Sequence, residues 1–143
     1  MLVREWMTRD PITTASHTSV QDAWKLMKER KIRHLPVVDQ GRLVGIVTDR
    51  DLRLVLPSPA TTLEAHELNY LLDKLPVSEV MTADPMTVGQ SVPIPDAVRF
   101  LMRARIGAFP VMEDGKLVGI LTREDALKAF LSRAEAEASQ WVA

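Results

Sequence analysis

Gly45-Ile46-Val47-Thr48-Asp49-Arg50-Asp51 returns in the second half of the chain as Gly119-Ile120-Leu121-Thr122-Arg123-Glu124-Asp125. Both stretches read as a strand that leaves a glycine turn, passes a Thr, and reaches an Asp three residues on, where a helix starts. Residue 45 maps on 119 and residue 51 on 125, an offset of 74 at both ends. The same offset aligns residues 3–53 with 77–127 without a gap. Val3, Glu5, Met7, Thr8, Asp10, Pro11 and Thr13 meet Val77, Glu79, Met81, Thr82, Asp84, Pro85 and Thr87. Asp22-Ala23 meets Asp96-Ala97, and Pro36-Val37 meets Pro110-Val111. Two copies at so long a period denote a duplicated domain rather than a solenoid.

Each copy carries the same order of elements. Around Met7-Thr8-Arg9-Asp10-Pro11 the chain is expected to turn, because Pro fixes φ and keeps the preceding residue out of the helical region. Ile12-Thr13-Thr14, rich in β-branched residues, reads as a short β segment. Val20, Ala23, Trp24 and Met27 fall at i, i+3, i+4 and i+7, the stripe of a helix with one buried face. Ile94, Ala97, Val98 and Leu101 repeat that stripe. Asp22 and Asp96 stand in the first turns, where the helix dipole favours negative charge. Leu35-Pro36-Val37-Val38 and Leu43-Val44-Gly45-Ile46-Val47, split by Asp39-Gln40-Gly41-Arg42, read as a β-hairpin, repeated over residues 109–121. A second helix closes each copy, its stripe drawn by Leu52, Val55 and Leu56 in the first and by Ala126, Leu127, Phe130 and Leu131 in the second. Each unit reads β-α-β-β-α, and the fold class is α+β.

The copies span residues 1–56 and 77–131. Between them, Pro57-Ser58-Pro59-Ala60 breaks the chain, and Leu68, Leu71, Leu72 and Leu75 follow at amphipathic spacing. Residues 57–76 are therefore read as a connector with a helix that Pro76 stops. Past the second copy, residues 132–143 continue the last helix through Ala134-Glu135-Ala136-Glu137-Ala138, good helix formers. This helical tail reaches Trp141 and is either solvated or an oligomer contact.

Composition narrows the function. The net charge is −1 with acids and bases interspersed, which removes the basic footprint of a nucleic-acid binder and of a protein drawn to an acidic membrane surface. No apolar run has the length of a membrane span, and the N-terminus lacks the apolar core of a signal peptide. Cysteine is absent, so disulfides, thiolate metal sites and cysteine nucleophiles are excluded. A cytoplasmic protein is the natural expectation.

Catalytic signatures are missing as well. No local arrangement sets a nucleophile beside a base. His17, His34 and His66 are scattered without metal-ligand spacing, and neither Gly-x-Gly-x-x-Gly nor a Walker loop occurs. Acidic neighbours such as Asp49 and Asp51, or Glu124 and Asp125, read as dipole partners and caps rather than as acid and base. The chain is expected to be no enzyme and to hold no metal.

The two Thr-x-x-Asp corners are first of all a capping pattern, in which the hydroxyl accepts an N-terminal N–H and the acid reaches back. Such a cap is worth about 1 kcal/mol. Two features argue for more than a cap. Each corner follows a strand directly, so that free N–H groups and the positive end of a helix dipole converge as in an anion site. A carboxylate beside such a site can also accept both hydroxyls of a ribose. Thr for phosphate or ribose, and Asp for ribose, make a nucleotide corner.

Taken in series, Met-Thr-x-x-Pro, a helix, an apolar residue before Pro-Val, and Gly-Ile-Val/Leu-Thr-x-x-Asp, all present twice, resemble a tandem pair of CBS domains (a Bateman module). The resemblance covers nearly the whole chain, with only the connector and tail outside it. Its motifs are weak singly and highly specific as a duplicated series. The connector Leu-Pro-Ser-Pro, with His66-Glu67-Leu68-Asn69-Tyr70-Leu71-Leu72, further resembles stand-alone pairs of the acetoin-utilisation accessory type.

That resemblance implies two units packed through their sheets about a pseudo-two-fold axis, a flat homodimer, and clefts between the paired units for adenosine-type ligands. AMP, ADP, ATP and S-adenosylmethionine are the expected class. Carried over residue by residue, Asp51 and Asp125 would bind ribose hydroxyls, and Thr48 and Thr122 would approach ribose or phosphate. Ile12-Thr13-Thr14 and Met86-Thr87-Val88 would hold the base through backbone groups. Leu35-Pro36 and Phe109-Pro110 would line an apolar wall. Arg33, His34, Asp49, Arg50, Ala108 and Arg123 complete the expected ligand-binding set.

The copies differ in charge. Lys31, Arg33, His34, Arg50 and Arg53 stand near the first corner, where they supply charge for phosphates. Their counterparts are Arg105, Gly107, Ala108, Glu124 and Leu127. The first corner is expected to accept a charged adenine nucleotide, and the second to be weaker or to prefer a less charged adenosyl ligand. The expected function is a regulatory, ligand-sensing module that signals to a protein partner, without nucleic acid or membrane. The alternative is a protein–protein interaction scaffold with no nucleotide ligand, in which Thr-x-x-Asp serves only as a cap.

Overall fold

The structure, a computed structural model, describes residues 1–56 and 65–141. In chain order its elements are α1 (Val3–Trp6), β1 (Thr8–Arg9), α2 (Val20–Arg30), β2 (His34–Asp39), β3 (Arg42–Thr48), α3 (Asp49–Val55), α4 (Ala65–Lys74), a 3-10 turn at Val77–Glu79, β4 (Thr82–Ala83), β5 (Val88–Gly89), α5 (Ile94–Ala104), β6 (Ala108–Glu113), β7 (Lys116–Thr122) and α6 (Arg123–Trp141). The break expected at Pro57-Ser58-Pro59-Ala60 lies outside the described residues, as do the side chains of Leu68 and Trp141. Among the described residues no helix is long and apolar enough to cross a membrane.

The chain folds into two compact units, and neither is one uninterrupted repeat. A continuous unit comprises Ile12–Pro85, and a discontinuous unit joins Met1–Pro11 to Met86–Ala143. The opening segment of each copy is thus built into the body of the other copy. Backbone bonds ahead of the strand pairing help stitch each opening segment in place. In the discontinuous unit Val3 N–H donates to Val92 (2.9 Å), Arg4 to Gln90 (2.9 Å) and Ile94 to Met1 (3.0 Å). In the continuous unit Val77 donates to Thr18 (2.7 Å), Ser78 to Ser16 (3.0 Å) and Val20 to Leu75 (2.8 Å).

The sheet of the continuous unit runs β2-β3-β4, extended beyond β2 by a parallel bridge from Thr14 to Val37. That of the discontinuous unit runs β1-β7-β6-β5, with β5 parallel to β6. The segments around Asp10 and Asp84, expected as turns, first extend the sheets: β1 pairs with β7 and β4 with β3. Only then do Asp10 and Asp84 turn the chain, each at φ 47°. Asp tolerates this left-handed region better than most residues.

The hairpin glycines have separate tasks. Gln40-Gly41 and Asp114-Gly115 all adopt positive φ, the two-residue connection whose twist matches that of the flanking strands. Gly45 and Gly119, by contrast, stand inside β3 and β7 and form no turn, which corrects the reading of the opening motif. Both are buried where β4 and β1 pass close by.

Each unit encloses its own hydrophobic cluster. In the continuous unit Val20, Ala23 and Met27 of α2 meet Leu35, Val37, Val47, Leu52 and Val77. In the discontinuous unit Ile94, Ala97 and Leu101 of α5 meet Val3, Met7, Val88, Phe109, Val111, Leu121 and Ala129. The stripe expected on the last helix is corrected: α6 buries Ala126 and Ala129, while Leu127, Phe130 and Leu131 are exposed. Val55 and Leu71, also placed on buried stripes by their spacing, are exposed as well.

Candidate ligand-binding site

The two strand-to-helix corners have the same construction. The Thr48 N–H donates to Asp51 Oδ2 at 2.9 Å, and the Asp51 N–H donates to Thr48 Oγ1 at 3.1 Å. At the second corner the Thr122 N–H donates to Asp125 Oδ2 at 3.0 Å and the Asp125 N–H to Thr122 Oγ1 at 3.1 Å. These are reciprocal capping boxes. Each uses one oxygen of its carboxylate; the other oxygen of Asp51 and of Asp125 makes no hydrogen bond among the described residues. The corners are pinned from below, since the Asp49 N–H donates to the Arg33 carbonyl and the Arg123 N–H to the Gly107 carbonyl, both at 2.9 Å. Register sets His34 opposite Thr48 and Ala108 opposite Thr122.

On the far side of β2, proline opens the sheet edge. The Thr14 N–H donates to the Pro36 carbonyl at 3.0 Å, and the Val38 N–H donates to the Thr14 carbonyl at 2.8 Å. The backbone edge of Pro36 therefore faces the 12–14 segment rather than β3. A residue with an N–H at that place would continue the parallel ladder by donating to the Ile12 carbonyl, and proline has none to give. The ladder stops at Thr14, and the backbone groups of Ile12 and Thr13 make no hydrogen bond among the described residues. Pro110 holds the same position on β6, with Val88 paired to Val111, so Met86 and Thr87 are left open in the same manner.

The expected residues thus divide cleanly between the units. Ile12, Thr13, Thr14, Arg33, His34, Leu35, Pro36, Thr48, Asp49, Arg50 and Asp51 fall in the continuous unit. Met86, Thr87, Val88, Ala108, Phe109, Pro110, Thr122, Arg123 and Asp125 fall in the discontinuous one. Within each unit, three chain segments converge at one end of one sheet. Leu35 and Phe109, expected in an apolar wall, are enclosed in the hydrophobic clusters of their own units, and Pro36 and Pro110 are buried too. Thr14 is buried, whereas its counterpart is the apolar Val88.

The charged residues are not equivalent. Asp49 is held by Arg53 at 3.1 Å, one turn along α3. Arg33 and Arg50 are exposed and have no ion-pair partner among the described residues. In the discontinuous unit Arg123 turns back, its Nε donating to the Ile106 carbonyl at 3.1 Å. Glu124, at the position of Arg50, lies 3.7 Å from Lys128.

One positioning element went unread in the sequence. The Ser16 N–H donates to Asp39 Oδ1 at 2.9 Å and the Ser16 hydroxyl donates to Asp39 Oδ2, which ties the loop after Thr14 to the end of β2. The hydroxyl bond, then the backbone bond, and last the nearby His17 hold the Asp39 carboxyl below its ordinary range against an opposing effect of desolvation. The counterparts are Gln90 and Glu113, so the duplication, which marks the rest of the site, gives no signal here. Among the described residues no group of three His, Cys, Asp or Glu could hold a metal ion.

With this geometry in hand, comparison with known proteins is specific. The CBS domain model matches residues 3–58 and again 77–132. CBSX2, a chloroplastic CBS domain-containing protein of Arabidopsis thaliana, is 37% identical over 134 residues, which cover 80% of this chain and 56% of that protein. The chain therefore spans little more than half of that relative. The crystal structure of CBSX2 in complex with AMP superposes with a TM-score of 0.76 at 35% identity, covering 93% of this chain and 98% of that one. The CBS domain pair of protein MJ0100, in complex with 5′-methylthioadenosine and S-adenosyl-L-methionine, gives a TM-score of 0.77 at 29% identity, with 93% and 98% covered. A Vibrio cholerae protein assigned to acetoin utilization (AcuB) gives 0.77 at 31% identity, with 97% and 96% covered. The chain belongs to the CBS-domain family and carries two CBS domains in tandem.

Proposed function

We propose that this chain is a regulatory, ligand-sensing module that holds an adenosine-type ligand at each corner, and that it is not an enzyme. The ligand is an adenine nucleotide or S-adenosylmethionine. The observation that carries the reading is the pairing, in both units, of a leftover carboxylate oxygen with an opened backbone edge across one strand. Two strand spacings separate them, roughly 10 Å. A nucleoside bridges that gap with its base toward Ile12 and Thr13, or Met86 and Thr87, and its ribose toward Asp51 or Asp125. A capping role alone accounts for the Thr–Asp pairs but not for the open edges beside them. The AMP and S-adenosylmethionine complexes of the related pairs support the same ligand class.

Within this reading the chain acts as a homodimer in the cytoplasm and passes occupancy on to a protein partner. Occupancy shifts an equilibrium only if the ligand binds one arrangement better than the other. Each Thr hydroxyl and one oxygen of each Asp are engaged in a cap, which suits a binding role.

A thermal-shift screen of AMP, ADP, ATP, S-adenosylmethionine, NAD and guanine nucleotides tests the reading. Ligand at a hundredfold its dissociation constant stabilises by about 2.7 kcal/mol, several degrees for a chain of this size. The shift should be selective for adenosyl compounds and fall in Asp51→Asn and Asp125→Asn, which keep an acceptor for the cap. No shift with any compound would leave the caps purely structural and favour a protein–protein scaffold.

A further inference from the structure

We infer that the two corners divide adenosyl ligands by charge: the continuous unit takes the phosphorylated ligand, and the discontinuous unit takes one without phosphate. The inference rests on the proposed adenosyl-binding function and names the ligand class of each corner. Around Thr48 and Asp51, the carbonyl bond from Asp49 N–H holds Arg33 beside the start of α3, and Arg50 follows one residue later. Asp49, beside Arg50 in sequence, pairs with Arg53 at 3.1 Å. Arg33 and Arg50 stand at the corner with no carboxylate of the described residues engaging them. His34 adds a ring opposite Thr48.

The cations differ in the other unit, although the bond beneath the corner is kept, from the Arg123 N–H to the Gly107 carbonyl. Gly107 and Ala108 replace Arg33 and His34, and Glu124 replaces Arg50. Arg123 replaces Asp49 and Leu127 replaces Arg53, so the ion pair of the first corner has no counterpart. Arg123 is the remaining cation of the turn, and its Nε is committed to the Ile106 carbonyl. Lys128 reaches Glu124 only at 3.7 Å, with both side chains largely in solvent, where such a pair contributes little. Lys31 and Arg105 occupy equivalent positions and cannot discriminate. A phosphate at the first corner is offered Arg33 and Arg50, whereas at the second Glu124 stands in the place of Arg50 and Arg123, the one cation of that turn, is drawn back to a carbonyl. An adenosyl ligand whose ribose carries a neutral or cationic group escapes that repulsion.

Isothermal titration of the full chain with adenosine, 5′-methylthioadenosine and AMP separates the possibilities. Two sites are expected, one preferring AMP over adenosine by about tenfold or more, the scale of a charged hydrogen bond. Arg33→Ala with Arg50→Ala should abolish that preference, bringing AMP affinity at this site down to that of adenosine in the same variant, and Glu124→Gln should raise AMP affinity at the other site. Asp51→Asn should remove the AMP-preferring site and Asp125→Asn the 5′-methylthioadenosine site, each in a variant that still unfolds cooperatively. Equal affinity for AMP and adenosine at both sites, or an AMP preference that disappears with Asp125→Asn, overturns the charge division while leaving adenosyl binding intact. No heat with any of the three compounds overturns the underlying ligand-sensing function together with the division.

Discussion

Gly119 makes room for Met7: a Cβ built on it would lie 2.6 Å from Met7 Sδ and 2.9 Å from the Thr8 carbonyl oxygen. Gly45 stands in the same relation to Met81, with the Thr82 carbonyl also at 2.9 Å. The methionine could swing aside, but the carbonyl belongs to a strand paired in register with the glycine's own. Gly119→Ala and Gly45→Ala are therefore expected to destabilise by about 1–3 kcal/mol, the cost of overpacking a closed site. Urea unfolding midpoints measure this. Wild-type stability in Gly119→Ala would mean that β1 is not held against β7.

The capping boxes predict a second, smaller effect. Thr48→Ala and Thr122→Ala each remove a hydroxyl acceptor at 3.1 Å and should cost about 1 kcal/mol. Thr48→Ser and Thr122→Ser retain the acceptor and should restore most of it. Denaturation of the ligand-free chain reads these losses separately from any change in ligand affinity.

Acid stability should carry the mark of Ser16. Asp39 is held below its ordinary 3.8 chiefly by the Ser16 hydroxyl and N–H. A carboxyl whose pKa is depressed in the folded state stabilises above its unfolded value, and the contribution disappears as pH falls through the folded value. Wild type should therefore exceed Ser16→Ala in stability at neutral pH, with the difference starting to shrink near about pH 4 and disappearing only as pH falls through the lowered Asp39 value. Carboxyl NMR titration should show the Asp39 pKa rising in the variant; an unmoved pKa would remove Ser16 as the cause.

Local chemistry was the legible part of this fold. A Thr-x-x-Asp cap is written entirely within four residues, so both corners could be located and their hydrogen bonds anticipated. The exchange of opening segments could not be read at all. Met7 and Met81 are the same residue, as are Gly45 and Gly119, and either methionine would suit either glycine. A duplicated sequence is degenerate on this point, and only the connectivity of the folded chain resolves it. The open edge opposite each corner was within reach, because Pro36 and Pro110 lack the N–H that a continuing ladder requires. Leu35 and Phe109 were drawn to the site by their neighbours, although large apolar side chains there complete the cores instead.

The last helix tests why hydrophobicity misled. Leu127, Phe130 and Leu131 fit an i, i+3, i+4 stripe, yet Leu127 is 67% exposed and Leu131 58%, while Ala129 is 0% exposed. Ala126 and Ala129 face inward because α6 lies close against its neighbours, where a methyl is all that fits. Ala129→Leu should therefore destabilise by about 1–3 kcal/mol despite adding apolar surface. Leu127→Ser, which deletes apolar surface, should leave the unfolding free energy within about 0.5 kcal/mol at protein concentrations where the chain is monomeric. Denaturant titration of the two variants side by side gives the order of their stabilities. The reverse order would mean that α6 presents Leu127 rather than Ala129 to the core, as hydrophobic periodicity alone suggests.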